Sequence, residues 1–509
     1  MTKAERQLLG RQRYIKAYDT SNGGTLDYCM RFGKTRVALN ILMQLFNRNN
    51  NHKLKVIIIV PSLGVLNHWN KELEEYKKEV GYKKFFPFEK VQLSTSHTIV
   101  SSNGGMEYDL AILDEIHTYM SKEAYKAILA QGKIKYPKIL GLTGTYPTGP
   151  SKAILDTIAP VVDKISEKEG IDNGWISKFL EFNLALDFSM EDKAEYVRHT
   201  NTIRDTLENF RGLHRMFIYQ GEYVFRNELD LLMCAYLGKS TKLGYLKSTH
   251  IRNAISKKMG WNEGLGDGQY AKSREYWEPR ALADTVRFFY TAVRDRNDLI
   301  SNNTTKLSAV LLLIKKFNAP TVCFNESQIF AEAVVDYIHK YVPDIKAVCY
   351  HSSIKSRPLI DPETGDYYRY GSKAKKAGQP VMFGKKSILD ATIQGLNEGV
   401  YKVLSVVKAI DTGVTLQNVQ VAILSSGTVD SIQYRQRVAR VKTLDIFNPD
   451  RVVIILNLYF DDFMWEIGVG ESKERKLIYS RDKVKLETRQ KNSVGQINIK
   501  FLDFIDMEI

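Results

Sequence analysis

Short, uninterrupted apolar runs, recurring in two separate stretches, constrain this chain more than any other feature. Lys55–Val60 (KVIIIV), Leu110–Leu113 (LAIL) and Ile139–Leu142 (ILGL) lie in the first stretch. Such a run is too short for an independent helix, and being apolar on successive residues it cannot leave one face in water. It reads as a strand buried on both faces. Longer amphipathic segments separate these runs, and strands alternating with helices imply a parallel sheet covered on both sides. The pattern returns after residue 304, in Thr321–Phe324, Ala347–Tyr350, Lys402–Val407, Val421–Leu424 and Val452–Leu456. Residues 186–303 show no comparable series and read as a mainly helical insertion. The expected fold is therefore α/β, with two parallel-sheet domains in tandem around a helical accessory region.

A chain of 509 residues is long enough for several cores. With 44% hydrophobic and 26% charged residues, its composition is that of a globular protein and excludes collagen-like, coiled-coil and disordered classes. The apolar run Val56–Pro61 falls far short of a bilayer span. The first residues (MTKAERQLLGRQRYIKAYDT) are polar and helical in pattern, so no signal peptide is expected. Cys29, Cys234, Cys323 and Cys349 form no C-x-x-C pair, which argues against a zinc finger and for a reduced, cytoplasmic setting. The 73 Lys+Arg against 58 Asp+Glu leave a net charge of +15, suited to a polyanionic partner.

Two local patterns carry chemistry. The segment Cys29-Met30-Arg31-Phe32-Gly33-Lys34-Thr35 ends in Gly-Lys-Thr and runs into an amphipathic helix. A tight loop there aims backbone N–H groups at an anion, and the helix N-terminus adds positive potential. Lys34 would reach the β- and γ-phosphates of a nucleotide, and the Thr35 hydroxyl would hold Mg²⁺. The full phosphate-loop spacing calls for glycine at 28, where this chain has Tyr28. In the second pattern, Asp114 and Glu115 directly follow an apolar strand, with His117 just beyond. Asp114 would hold Mg²⁺, partly through water, and Glu115 would polarise an attacking water.

Together these segments resemble superfamily 2 helicases and translocases. Lys34 and Asp114-Glu115-Ile116-His117 look like motifs I and II, of the DExH type. Val60-Pro61-Ser62 with Trp69 looks like motif Ia, and Leu142-Thr143-Gly144-Thr145 like motif III. Gln12 stands where that superfamily often has an adenine-reading glutamine. In the second half, Thr321–Asn325 resembles motif IV, Ala409–Leu416 with Thr412 and Gly413 resembles motif V, and Gln433–Arg440 resembles motif VI.

The resemblance implies RecA-like domains that close over one ATP with Mg²⁺. It makes Arg440 the candidate arginine finger, supported by Gln436 and Arg437. Arginine delivered by a second lobe neutralises charge on the transferring phosphoryl only when the lobes close. Ala439 replaces the usual glycine, and Thr443 stands where many members carry a second arginine. The domain boundaries expected are 1–185, 186–303, 304–470 with a basic insertion at 355–386, and a basic tail at 471–509.

The resemblance also makes Pro61, Ser62, Thr143, Gly144 and Thr412 candidates for the nucleic-acid backbone. Lys239, Lys242 and Lys247 lie in a segment, 231–260, that holds no acidic residue and interleaves Tyr236 and Tyr245. That composition fits either phosphate contacts with base stacking or a helical packing module. The insertion at 355–386 reads as a turn followed by a hairpin or loop. The expected partner is DNA, single-stranded, duplex or branched, with RNA or an R-loop as the alternative and a monomer favoured. The organisation resembles phage-encoded members of the superfamily that remodel branched DNA. A non-catalytic scaffold is a further alternative, against which the intact Lys34, Asp114, Glu115 and Arg440 argue.

Overall fold

The protein is described here by a computed structural model over residues 1–48, 53–80, 87–219, 222–225, 227–231, 278–351, 353–354, 357–358, 379, 382–383, 385–407, 416, 418–426, 431–442, 451–467, 474–490 and 496–507. The chain forms two compact units. One comprises Met1–Leu184, Ala309–Tyr459 and Lys485–Ile509, and the other Ala185–Ser308 and Phe460–Val484.

The first unit contains both parallel sheets. Sheet one is built from β1 (Gly23–Tyr28), β2 (Val56–Val60), β3 (Val91–Thr95), β4 (Leu110–Asp114), β5 (Lys138–Thr143) and β6 (Val161–Ile165), in the order β3-β2-β4-β5-β1-β6. Every pairing is parallel, so the carboxyl ends of β1, β2, β4 and β5 share one edge. Parallel α/β sheets bind ligands outside that edge. The order of the first five strands is that of a RecA-like sheet.

The all-apolar runs have the expected cause. In β2, Val56, Ile58 and Val60 belong to one core, with Leu39 and Leu42, while Ile57 and Ile59 belong to the core on the opposite face, with Ala111 and Leu113. Two buried faces leave no room for a polar residue. The helices α1 (Lys3–Thr20), α2 (Lys34–Asn47) and α3 (Leu63–Val80) supply the first of these covers.

Sheet two takes β7 (Lys178–Leu186), β8 (Thr321–Asn325), β9 (Ala347–Tyr350), β10 (Val403–Val407), β11 (Val421–Leu424), β12 (Val452–Phe460) and β13 (Gln496–Lys500), in the order β9-β10-β8-β11-β12-β7-β13. The pairings of β8, β9, β10, β11 and β12 are parallel. Two strands depart from a linear reading of the chain. β7 lies inside the stretch 1–185 expected to form the first domain, and β13 lies in the expected tail, yet both extend the second sheet.

Polar side chains explain that placement. Glu181 on β7 is buried and accepts from Asn457 Nδ2 on β12 (2.9 Å), from Gln496 Nε2 on β13 (2.9 Å), and from the hydroxyl of Tyr434. Asn183 donates to Asn498 Oδ1 at 2.7 Å. Buried polar groups keep only partners that satisfy them, so this network specifies which strands lie together.

The second unit contains α4 (Met190–Asn209) and α5 (Glu278–Ser301), which pack on each other around Ile203, Phe210, Phe217, Phe225, Val286 and Phe289. Its described part is mainly helical, with two antiparallel hairpins, Ile218–Tyr219 with Glu222–Tyr223 and Phe463–Ile467 with Glu474–Ile478. A fully buried ion pair, Lys306 Nζ to Asp482 Oδ2 at 2.6 Å, ties the second hairpin's flank to the helical part. Within the basic insertion, Arg357–Pro358 pairs antiparallel with Met382–Phe383.

Candidate active site

The phosphate loop follows β1 and ends at Gly33, whose left-handed φ of 98° makes it the residue preceding α2. Glycine adopts that conformation without strain. Lys34 and Thr35, both half-buried, open the helix. From β4, Glu115 brings its Oε1 to 3.4 Å from Lys34 Nζ. Asp114 is buried, accepting from Trp69 Nε1 at 2.8 Å through Oδ2 and from the Glu115 amide at 3.1 Å through Oδ1. From β5, Gly144 lies so close to Lys34 that an added Cβ would sit 2.9 Å from Nζ and 3.0 Å from the Tyr28 carbonyl.

Two residues here have positive φ without being glycine, Arg31 at 68° and Glu115 at 49°. Such geometry costs of order 1–3 kcal/mol and persists where the surroundings over-determine it, commonly at functional sites.

The electrostatics separate the two acids. Burial, together with the neighbouring Glu115, pushes the Asp114 carboxyl up to about 6. Burial also opposes charge on Glu115, but Lys34 and His117 outweigh it and hold that carboxyl below its usual range. An oxygen-ligand cation at Asp114 would relieve the strain of two adjacent carboxylates. The donor set of Asp114 and the Thr35 hydroxyl suits a hard divalent ion such as Mg²⁺.

His117 is turned inward. Its Nδ1 lies 2.9 Å from Thr143 Oγ1, which lies 3.5 Å from Glu115 Oε2 and accepts from the Thr145 amide at 3.0 Å. Thr143 is fully buried, and its hydroxyl is the partner of His117. Gly144 packs against Lys34 Nζ. Trp69 is fully buried and bonded to Asp114. Pro61 and Ser62 are half-buried at the start of α3, where Ser62 O accepts from the Leu66 amide at 3.0 Å.

Helix α1 braces the loop from behind. Lys3 Nζ donates to Arg31 O at 3.0 Å, and Gln7 Nε2 to Phe32 O at 2.9 Å. The glutamine that touches the loop is thus Gln7. Gln12 is exposed on α1 and touches no residue of the loop by a hydrogen bond described here. Sequence reasoning missed Gln7 because it chose the glutamine by motif spacing. The signal present was helical phase: Gln7 lies one residue from buried Arg6 and near buried Gly10.

Tyr28 has its own compensation. Its fully buried hydroxyl donates to Asp163 Oδ2 at 2.6 Å, and Asp163 also pairs with Arg6 NH1 at 2.7 Å and with Arg13. Only backbone remains for the phosphate loop at that position. Phe32 is similarly a core residue, edge-on to Trp175 at 5.3 Å, and offers its main chain alone. Met30 lies beside Gly144, with Cγ 3.1 Å from the position of an added Cβ.

The second sheet contributes α6 (Ser431–Val441). Arg31 Nε donates to Ala439 O at 3.0 Å, which sets the arginine helix against the phosphate loop. Burial, reinforced by the charge of adjacent Arg440, pushes the Arg31 guanidinium well below its ordinary range. Two cations held together in this way are stabilised by an anion between them. Lys442 pairs with Glu167 at 2.8 Å and lies over the Phe179 ring. Arg437 is 1% exposed, within the protein interior. Gln436 lies in α6, but its side chain is outside the described residues, as are Thr412, Gly413, Lys239, Lys242, Lys247 and Thr443. No helix among the described residues is long and apolar enough to cross a membrane.

Comparison with known proteins gives one family match. Residues 32–148 match the family described as "Type III restriction enzyme, res subunit". No curated protein matches the chain significantly. Among solved structures, the Hef helicase domain of Pyrococcus furiosus is similar at 14% identity and a TM-score of 0.44, over 88% of this chain and 94% of that one. The family match runs from the phosphate loop through Leu142-Thr143-Gly144-Thr145. It supports a helicase or translocase of the superfamily 2 type.

Proposed function

We propose that the protein is a nucleic-acid-stimulated ATPase that moves along or remodels DNA, including branched DNA. One observation carries the reading. The Arg31–Ala439 bond brings α6, with Arg440, against the loop that leads into Lys34, and Lys34 in turn meets Glu115 at the end of β4. That arrangement suits phosphoryl transfer, where catalysis is positioning plus electrostatic stabilisation. Lys34 and the loop amides bind the β- and γ-phosphates, and Gln7 braces the loop. Glu115, kept ionised by Lys34 and His117, orients the attacking water and takes its proton. Arg440 meets charge developing on the γ-phosphoryl. Asp114 and Thr35 would hold Mg²⁺, which would neutralise charge on the phosphate oxygens. Pro61 and Ser62 at the start of α3, with Thr412 and the lysines 239, 242 and 247, are the proposed contacts to the nucleic-acid backbone. Such contacts follow phosphates and carry no sequence information. The +15 charge suits that partner.

The test is ATP hydrolysis by the purified protein, alone and with single-stranded DNA, duplex, four-way junction, R-loop and RNA. Stimulation greatest with branched DNA is expected. Glu115→Gln and Lys34→Ala should each lower turnover by about 10²-fold or more while far-ultraviolet circular dichroism is unchanged. Unaltered turnover in both variants would refute the assignment.

A further inference from the structure

We infer that Trp69 is a positioning residue that fixes the Asp114 carboxylate and links it to the nucleic-acid end of α3. The inference rests on the function proposed above.

The indole N–H is a donor only, and it spends itself on Asp114 Oδ2 at 2.8 Å. The other oxygen accepts from the Glu115 amide at 3.1 Å. Among the described residues, Trp69 donates to this carboxylate from its side chain, and it comes from a helix outside the phosphate loop and outside β4. Trp69 is fully buried, so its ring cannot swing to another partner without opening the core.

Helix α3 is well placed to carry a signal. Its first residue, Leu63, is 72% exposed and follows Pro61-Ser62 directly. Farther along, the Tyr76 hydroxyl donates to Asn40 Oδ1 at 2.9 Å, and the Arg36 guanidinium lies 4.7 Å from the Tyr76 ring centre. Asn40 and Arg36 belong to α2, which begins with Lys34. One rigid helix therefore links its exposed first residue, Leu63, next to Pro61-Ser62, with the carboxylate for the metal and the helix of the phosphate lysine. A shift of α3 when its N-terminal end engages a phosphodiester backbone alters the Asp114 carboxylate through the indole bond. Partners of metal-ligating groups are commonly worth about 10- to 100-fold in metal affinity.

The test uses Trp69→Phe and Trp69→Tyr, which keep an aromatic ring in the core and remove the indole donor. Affinity for a fluorescent ATP analogue is measured in EDTA and across a Mg²⁺ titration, and hydrolysis is measured with and without DNA. The expected result is metal-free affinity within about 2-fold of wild type, half-saturating Mg²⁺ raised about 10-fold, and a stimulated-to-basal ratio lowered by a similar factor. Wild-type Mg²⁺ dependence and wild-type stimulation in a folded variant would overturn the inference. Wild-type protein without any DNA or RNA stimulation would instead refute the proposed function, and the Mg²⁺ titration would still decide the role of Trp69. Wild-type protein labelled with fluorotryptophan gives a reading independent of any variant. With five tryptophans in the chain, one fluorine resonance should move when Mg²⁺ is added to the nucleotide-bound protein, and none moving would overturn the inference.

Discussion

Gly10→Ala should destabilise this protein, although the same change in the middle of most helices stabilises. Gly10 lies within α1, where alanine is favoured over glycine by about 1 kcal/mol. A Cβ at position 10, however, would overlap the Tyr28 hydroxyl outright, and would sit 2.8 Å from Asp163 Oδ2 and 3.0 Å from Tyr28 Cζ. The tyrosine is fully buried and cannot step aside into solvent. Overpacking costs about 1–3 kcal/mol, and losing the Tyr28–Asp163 bond, which involves a charged acceptor, costs about 1.5–3 kcal/mol. The net expectation is a loss of about 1.5–5 kcal/mol once the propensity gain is subtracted. Urea unfolding of wild type, Gly10→Ala, Tyr28→Phe and the double variant measures it. Because Tyr28→Phe removes the overlapping oxygen, the double variant should be more stable than the two single losses would give by addition. A Gly10→Ala protein as stable as wild type, or strictly additive losses, would show that α1 and the phosphate loop are not packed through Tyr28.

Two further expectations concern the polar interior. Although burial opposes charge on Asp163, hydrogen bonds from Arg6, Tyr28 and Arg13 hold its carboxyl below the ordinary range. Its contribution is therefore fully present above the unfolded value of about 3.9 and is lost as pH falls through the lower folded value; the Asp163→Asn protein should show a smaller loss of stability between pH 5 and more acid conditions, read by urea unfolding. Glu181→Ala strands the buried Tyr434 hydroxyl, while Asn457 keeps Asn183 Oδ1 as a partner, a cost of about 1–3 kcal/mol. Limited proteolysis should then release the C-terminal segment around α7 (Arg481–Gln490) and β13, and an unchanged digestion pattern would show that the network does not hold them.

The sequence made some of this legible and hid the rest for physical reasons. Lys34, Asp114 and Glu115 could be read because each signature is local: a loop runs straight into a helix start at Gly33-Lys34, and two acids directly follow an apolar strand at 114 and 115. The apolar runs could be read because a strand buried on both faces tolerates no polar residue. By contrast, Trp69 was read only as part of a segment that looks like motif Ia, because nothing along the chain reveals that its indole meets a carboxylate 45 residues away. The pairing of the Thr143 hydroxyl with His117, across two strand ends, was hidden in the same way. Gln7 was passed over for Gln12 because motif spacing counts residues, whereas the loop is touched by one face of a helix. β7 and β13 were assigned by position along the chain, yet Glu181 and Gln496 join a sheet whose other strands begin at residue 321.

The measurement that tests the account most directly is single-turnover ATP hydrolysis by Arg440→Ala, with ATP affinity determined separately on the same protein. The account places Arg440 beside Arg31 and the phosphate loop, acting on the transferring phosphoryl. It expects near wild-type ATP affinity and hydrolysis slower by about 10³-fold or more, as for other arginines delivered by a second lobe. Hydrolysis at the wild-type rate by Arg440→Ala would contradict the claim that the two parallel sheets serve one nucleotide.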